Sequence, residues 1–319
     1  MHKTEILVVS PYPDADMALL AEQFTLHLLP AAEDRNAYLA GLAPRIRALA
    51  TNGESGADAA LIDALPNLEV IVSYGVGVDA IDLAHAARRG IRVTNTPDVL
   101  TEDVADLGMA LMLSVAREIP QNDAVVRAGQ WGKRPIALAS RMFGKRLGIF
   151  GLGRVGRAVA RRAVAFDMKI SYHDRARFDD VAYPYYSDAA ALASDSDFLM
   201  VCAAADKIAR GALGRDVFDA LGPEGFLINI ARGSIIDEPA LVEYLIDGRI
   251  KGAALDVFWN EPAIDARFLT LPNVVLQPHR ASATVETRAA MAQLVRENLR
   301  AFFDGKPLVT EFTAHLAGL

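Results

Sequence analysis

Residues 146–174, RLGIFGLGRVGRAVARRAVAFDMKISYHD, constrain this chain more than any other segment. An apolar run over residues 147–150 reads as a buried strand and leads directly into Gly151, Gly153 and Gly156, a G-x-G-x-x-G. A helical pattern follows over residues 154–166, and a second strand over residues 169–173 ends at Asp174. Strand, glycine turn, helix, strand and acid, in that order, make a dinucleotide-binding βαβ unit. Gly151 permits the tight turn, Gly153 lets a pyrophosphate approach the backbone, and Gly156 lets helix and strand pack closely. The helix start, at Arg154 and Val155, supplies N–H groups and a partial positive charge for the phosphates. Asp174 stands 23 residues after Gly151 (174 − 151), near the offset of about 20 expected for a ribose-binding acid.

The rest of the chain repeats the same alternation of short apolar runs and helical patterns, the sequence of an α/β protein with parallel sheets. The first half predicts strands at residues 5–9, 25–29, 47–51, 69–73 and 92–95, with helices such as 15–22 and 79–89 between them. A long apolar helix over residues 100–119, with Thr101 as cap, precedes the glycine-rich unit. Later strands are expected at 198–202, 226–230, 252–256 and 274–276, and a last long helix at 285–303. The expected architecture is two doubly wound parallel-sheet domains. A Rossmann dinucleotide-binding domain, residues 100–287, is inserted into a smaller flavodoxin-like substrate-binding domain, residues 1–99 and 288–319. The two long helices are the expected crossovers, with the chemistry in the cleft between domains.

A formal net charge of −7 without a long basic run argues against nucleic acid or anionic membrane as a partner. No segment approaches the ~20 apolar residues that span a bilayer, and the N-terminal apolar run is too short for a signal peptide. One cysteine, Cys202 in the apolar FLMVCAAA, rules out a disulfide framework and fits a reducing cytoplasm as a buried structural thiol. Six histidines without H-x-x-x-H pairing or a neighbouring acidic cluster predict no metal.

Four short stretches fall at expected strand ends: SYGVGVDAID, INIARGSIID, ALDVFWNEP and QPHRAS. Ligands of doubly wound folds bind outside the carboxyl ends of strands. Arg232 follows the strand at 226–230, and its fork of donors suits a carboxylate or carbonyl oxygen. His279 follows the strand at 274–276 and is suited to moving a proton near neutral pH. Contact with Glu261 would stabilise its imidazolium form.

The set G-L-G-R-V-G, A-R-G-S-I-I-D-E, L-D-V-F-x-x-E-P and P-H resembles the D-isomer-specific 2-hydroxyacid dehydrogenase family over almost the whole chain. Within it the stretches YPYY, DALGPEGFLINIARG and PHRASATVETR look most like glyoxylate/hydroxypyruvate and hydroxyphenylpyruvate reductases. The resemblance implies NAD(P)H-dependent reduction of a small 2-oxoacid to the D-2-hydroxyacid, with Arg232, Glu261 and His279 as the catalytic trio. It implies cofactor contacts at the glycine loop, Asp174, Arg175, Cys202, Ile230 and Asp256, the last at the nicotinamide carboxamide. The backbone of Val76 and Gly77, beside Tyr74, would hold the substrate carboxylate as an anion nest, with His279 and Arg232 also at the substrate. It further implies a homodimer through the helix at 100–119, with Trp131 reaching the partner. Asp174 suits NAD(H), whereas Arg175 and Arg177 suit the 2′-phosphate of NADP(H); the balance is narrowly for NADP(H). Two departures from the family pattern are Ala281 in place of glycine after the histidine, and Ala203–Asp206 in place of a proline–leucine–threonine run. The same fold also serves nucleotide-sensing corepressors, and phosphoglycerate dehydrogenases are further relatives. The intact trio favours an enzyme, and Glu261 argues against formate dehydrogenase, where a glutamine stands.

Overall fold

The computed structural model describes residues 3–30, 35–133, 135–205 and 208–313. The chain separates into two compact units, Met1–Leu100 with Ala283–Leu319, and Thr101–Ser282.

The first unit runs β1 (Thr4–Val8), α1 (Asp14–Ala21), β2 (Phe24–Leu28), α2 (Arg35–Leu42), β3 (Ala48–Asn52), α3 (Ala59–Asp63), β4 (Val70–Tyr74), α4 (Leu83–Arg88) and β5 (Arg92–Thr94). Its strands pair in parallel in the order β2-β1-β3-β4-β5, the flavodoxin-like order. Leu7, Leu49, Ile71 and Val93 from four strands meet Ile46, Ile62 and Leu65 in one core. β4 is buried at every residue, which explains its consecutive apolar residues Val70, Ile71 and Val72: strands covered on both faces lose the polar alternation.

The second unit runs α5 (Thr101–Arg117), α6 (Ile119–Arg127), β6 (Arg146–Phe150), α7 (Arg154–Val164), β7 (Lys169–His173), β8 (Tyr185–Tyr186), α8 (Ala189–Ser194), β9 (Phe198–Val201), α9 (Arg215–Leu221), β10 (Phe226–Asn229), α10 (Glu238–Ile246), β11 (Gly252–Leu255) and β12 (Val274–Leu276). The parallel order is β12-β11-β10-β9-β6-β7-β8. From β6 the chain builds outward through β7 and β8, then returns to the other side of β6 as β9. The carboxyl ends of β6 and β9 therefore form the topological switch point where doubly wound sheets bind ligands. The chain then re-enters the first unit as α11 (Val285–Phe303).

Side-chain caps start several helices where the sequence turns polar. Asp58, Asp82, Asp188, Asp237 and Thr284 each accept the N–H three residues on, satisfying a donor that has no partner within the helix. The long helix ends earlier than its apolar pattern suggests. Glu118 takes a left-handed φ of 53°, so α5 stops at Arg117 and α6 begins a new direction at Ile119. The apolar face of α5, including Val104, Met109, Leu111, Met112 and Val115, is buried within its own unit, against β10, β11, β12 and α7. Its uniform hydrophobicity is therefore that of a core helix and does not by itself require a second chain. Several exposed apolar side chains lie beyond it, at Ile119, Val126, Trp131, Leu138 and Phe143, with others spread over both units. No helix among the described residues is long and apolar enough to cross a membrane.

Candidate active site

The glycine loop follows β6 directly. Gly151 has φ +97°, and a Cβ there would lie 2.5 Å from the Ala203 Cα; only glycine fits between the ends of β6 and β9. A Cβ on Gly156 would lie 2.2 Å from the Gly151 carbonyl oxygen, so α7 packs hard against its own turn. Gly153 is different: a Cβ there would meet nothing within 4 Å. Its missing side chain leaves space open to a ligand rather than relieving a clash. Gly153 also caps α7 and brings no side-chain acceptor to it, so the first N–H groups of α7, near Arg154 and Val155, face a position suited to phosphate. Asp174, at the end of β7, accepts the Leu152 N–H at 2.9 Å through Oδ2 and the Arg175 N–H at 2.8 Å through Oδ1. The acid thus sits beside the glycine loop, with Arg175 and Arg177 exposed after it. These residues fit a dinucleotide.

Two other residues expected at the cofactor lie deeper. Cys202 is one residue past β9 and half-buried, and burial pushes its thiol pKa up. Its N–H continues the sheet by donating to the Phe150 carbonyl at 2.9 Å. Ile230 is buried, and its Cδ1 lies where a Cβ on Gly108 of α5 would stand; its side chain belongs to the core. Ala203 packs under Gly151, while Asp206 lies outside the described residues.

At the ends of β10, β11 and β12 the sheet brings Arg232, Glu261 and His279 together. His279 Nδ1 lies 2.7 Å from Glu261 Oε2, with side chains 31% and 25% exposed. That partial burial keeps the pair strongly coupled while leaving a route for a proton. The hydrogen bond and charge of Glu261 raise the His279 pKa above the ordinary imidazole range, although burial and the charge of Arg232 oppose this. Burial would raise the Glu261 pKa, but the hydrogen bonds from His279 and the Phe258 N–H and the charges of His279 and Arg232 hold it below the usual carboxylate range. The pair is therefore an imidazolium–carboxylate pair over an extended pH range.

Backbone anchors hold each member. The Arg232 turn is fixed by buried Asn229, which donates to the Arg232 carbonyl at 2.9 Å and accepts the Ala231 N–H at 3.0 Å. A short 3-10 turn, Gly233–Ile235, follows. His279 has φ +52°, a conformation that costs a non-glycine residue on the order of 1–3 kcal/mol. Asp256 holds it there. Its carbonyl accepts the His279 N–H at 2.9 Å, and its carboxylate accepts the Arg280 N–H at 2.6 Å and the Ala281 N–H at 2.9 Å. Asp256, expected at the nicotinamide carboxamide, is fully buried, and both of its carboxylate oxygens accept hydrogen bonds from this loop. Ala281 is buried in the same arrangement. Neither anchor carries a sequence signature, because their partners are backbone N–H groups in distant turns.

In the first unit, the turn after β4 holds Gly75, Val76 and Gly77. All three carbonyls accept protein hydrogen bonds, from the Thr96 N–H at 2.8 Å, Asn95 Nδ2 at 2.8 Å and Ser73 Oγ at 3.4 Å. With its acceptors engaged, the turn is suited to presenting N–H groups, the requirement of an anion nest. Tyr74, expected at the substrate, faces inward. Its ring stacks on Tyr12 at 4.5 Å, and its hydroxyl donates to the Arg288 carbonyl at 3.1 Å. Burial pushes its pKa up to about 12, so it is a neutral prop beneath the turn.

Comparison with known proteins agrees with this geometry. Residues 109–281 match the family model described as D-isomer specific 2-hydroxyacid dehydrogenase, NAD binding domain.

The chain belongs to the D-isomer-specific 2-hydroxyacid dehydrogenase family.

It is 48% identical to hydroxyphenylpyruvate reductase of Plectranthus scutellarioides, over 95% of this chain and 96% of that one. A solved 2-hydroxyacid dehydrogenase from Ketogulonicigenium vulgare Y25 is 55% identical, with a TM-score of 0.92 over 98% of this chain and 99% of that one. The NADPH-dependent glyoxylate/hydroxypyruvate reductase of Sinorhizobium meliloti, solved with NADP and malonate, is 39% identical, with a TM-score of 0.89 over 98% and 97%. As a member of this dehydrogenase family, the chain is an oxidoreductase that reduces 2-oxoacids to 2-hydroxyacids with a nicotinamide dinucleotide.

Proposed function

We propose that the protein reduces glyoxylate, hydroxypyruvate or a similarly small 2-oxoacid to the D-2-hydroxyacid, with NADPH favoured narrowly over NADH. The observation that carries this reading is the His279–Glu261 pair at 2.7 Å with the charge of Arg232 beside it. When bound, the reduced nicotinamide supplies hydride to the substrate carbonyl carbon. Arg232 polarises the carbonyl oxygen and orients the carboxylate. In the first unit, the turn of Val76 and Gly77 offers N–H groups that suit an anion. His279, kept protonated by Glu261, donates its proton to the developing alkoxide. Asp256 serves the same step by fixing the backbone of the acid.

The cofactor preference rests on how Asp174 is used. Two backbone N–H groups already draw on its carboxylate, which weakens its repulsion of a 2′-phosphate, and Arg175 and Arg177 are free to attract one. The Sinorhizobium relative is NADPH-dependent. A homodimer is supported by the exposed apolar side chains over residues 119–143, including Trp131. The one cysteine, a half-buried thiol whose pKa burial raises, suits the cytoplasm. The test is steady-state turnover of glyoxylate, hydroxypyruvate and a bulkier aromatic 2-oxoacid with each cofactor. Turnover of none of them would refute the reading.

A further inference from the structure

Glu238 is one of few carboxylates in the described structure withdrawn from solvent, at 7% exposure. It opens α10, just after the turn that carries Arg232. Its Oε2 accepts the backbone N–H of Trp259 at 2.8 Å. The Trp259 indole Nε1 donates back to the Ile236 carbonyl at 2.7 Å, and the Arg210 guanidinium covers the ring at 4.2 Å. Two hydrogen bonds therefore tie the turn after β10 to the turn after β11. The contact between these turns is close throughout, since a Cβ on Gly233 would fall 2.0 Å from the Phe258 carbonyl carbon. From Trp259 the chain reaches Glu261, whose Oε1 accepts the Phe258 N–H at 2.7 Å while its Oε2 meets His279.

We propose that Glu238 is a positioning residue for the proton donor: by gripping the Trp259 backbone it sets where Glu261 stands, and so how firmly His279 is held in its protonated form. The inference rests on the assignment of His279 and Glu261 above. Asp256 holds the backbone of the acid, and Glu238 holds the backbone of the acid's carboxylate partner. A purely local role is the alternative, because an acid in the first turn also stabilises a helix through its dipole. Substitution by Gln separates the two. It removes the charge that the dipole would use and keeps an oxygen that can accept from Trp259. Burial raises the Glu238 pKa, with Asp265 and Glu261 adding to this and the Trp259 N–H and Arg210 opposing it.

The experiment measures kcat, the KM for each substrate and the pH profile of 2-oxoacid reduction in Glu238→Ala, Glu238→Gln and His279→Asn. Glu238→Ala is expected to lose about tenfold in kcat, the rate equivalent of one buried hydrogen bond. Its cofactor KM should hold, and its alkaline limb should move to lower pH because Glu261 no longer meets His279 squarely. Glu238→Gln is expected to restore most of the rate and return the limb to its place. If Glu238→Ala does not fold, Glu238→Asp, one methylene too short for Trp259, takes its place with the same expected limb shift. An unmoved limb in the shortened variant, or a Gln variant as impaired as Ala, overturns the positioning role. Wild-type turnover in His279→Asn overturns the underlying assignment instead.

Discussion

Glu261 Oε2 and His279 Nδ1 meet at 2.7 Å across 18 residues of chain, and the contact shifts both groups in opposite directions: His279 upward, Glu261 downward. The raised His279 pKa means that the proton needed for reduction is present below the ordinary imidazole value of about 6.5 and persists above it. It is lost only as pH rises through the raised value. Glu261→Gln keeps the shape and removes the charge, so His279 loses its proton at lower pH. The alkaline limb of kcat/KM for reduction should then shift to lower pH. A limb that does not move would show that the pair does not govern protonation.

Gly151 and Gly153 should fail in different ways. Gly151→Ala puts a Cβ at positive φ and into the Ala203 backbone, so it should lower Tm, costing more than about 1 kcal/mol. Gly153→Ala meets no protein atom. It should leave Tm near wild type while raising the cofactor Kd, because the new methyl stands where a pyrophosphate must approach. Thermal melts with and without NADPH distinguish the two. Equal losses of Tm in both variants would contradict the separate roles.

The βαβ unit around these glycines was readable because each part has its own chemical signature: an apolar run, glycines at fixed spacing, and a helical period. Residues 118–127 were not. Glu118 breaks the long helix by taking a left-handed φ without a glycine to announce it. The two-residue β8 is too short to carry a period. In the site, Arg232, Glu261 and His279 stood out because charged groups after apolar strands have few structural reasons to be there. Asp256, Glu238 and Asn229 were opaque in their roles, since each bonds to backbone N–H or carbonyl groups of other turns. The inward setting of Tyr74 is not legible in the sequence, because β4 is buried on both faces and leaves no alternation to tell which way its last residue points.

Cofactor choice should respond to Asp174. The wild type is expected to use NADPH with the higher kcat/KM and NADH measurably. Asp174→Asn removes the remaining repulsion and should increase the NADPH-to-NADH ratio. A wild-type preference for NADH above about tenfold, or about 1.4 kcal/mol, would show that Asp174 decides the site.

Assembly should depend on the exposed apolar side chains beyond α5. Light scattering at micromolar concentration is expected to give twice the chain mass, and Val126→Glu with Leu138→Glu should give the monomer. A wild-type monomer at that concentration would remove the proposed dimer.

The central claim is that His279 is the proton donor, and reduction by His279→Asn tests it most directly. Steady-state oxidation of NADPH by glyoxylate, with cofactor binding measured in parallel, should show a loss of about 10²-fold or more in kcat and a cofactor Kd close to wild type. Near wild-type turnover in that variant would contradict the account.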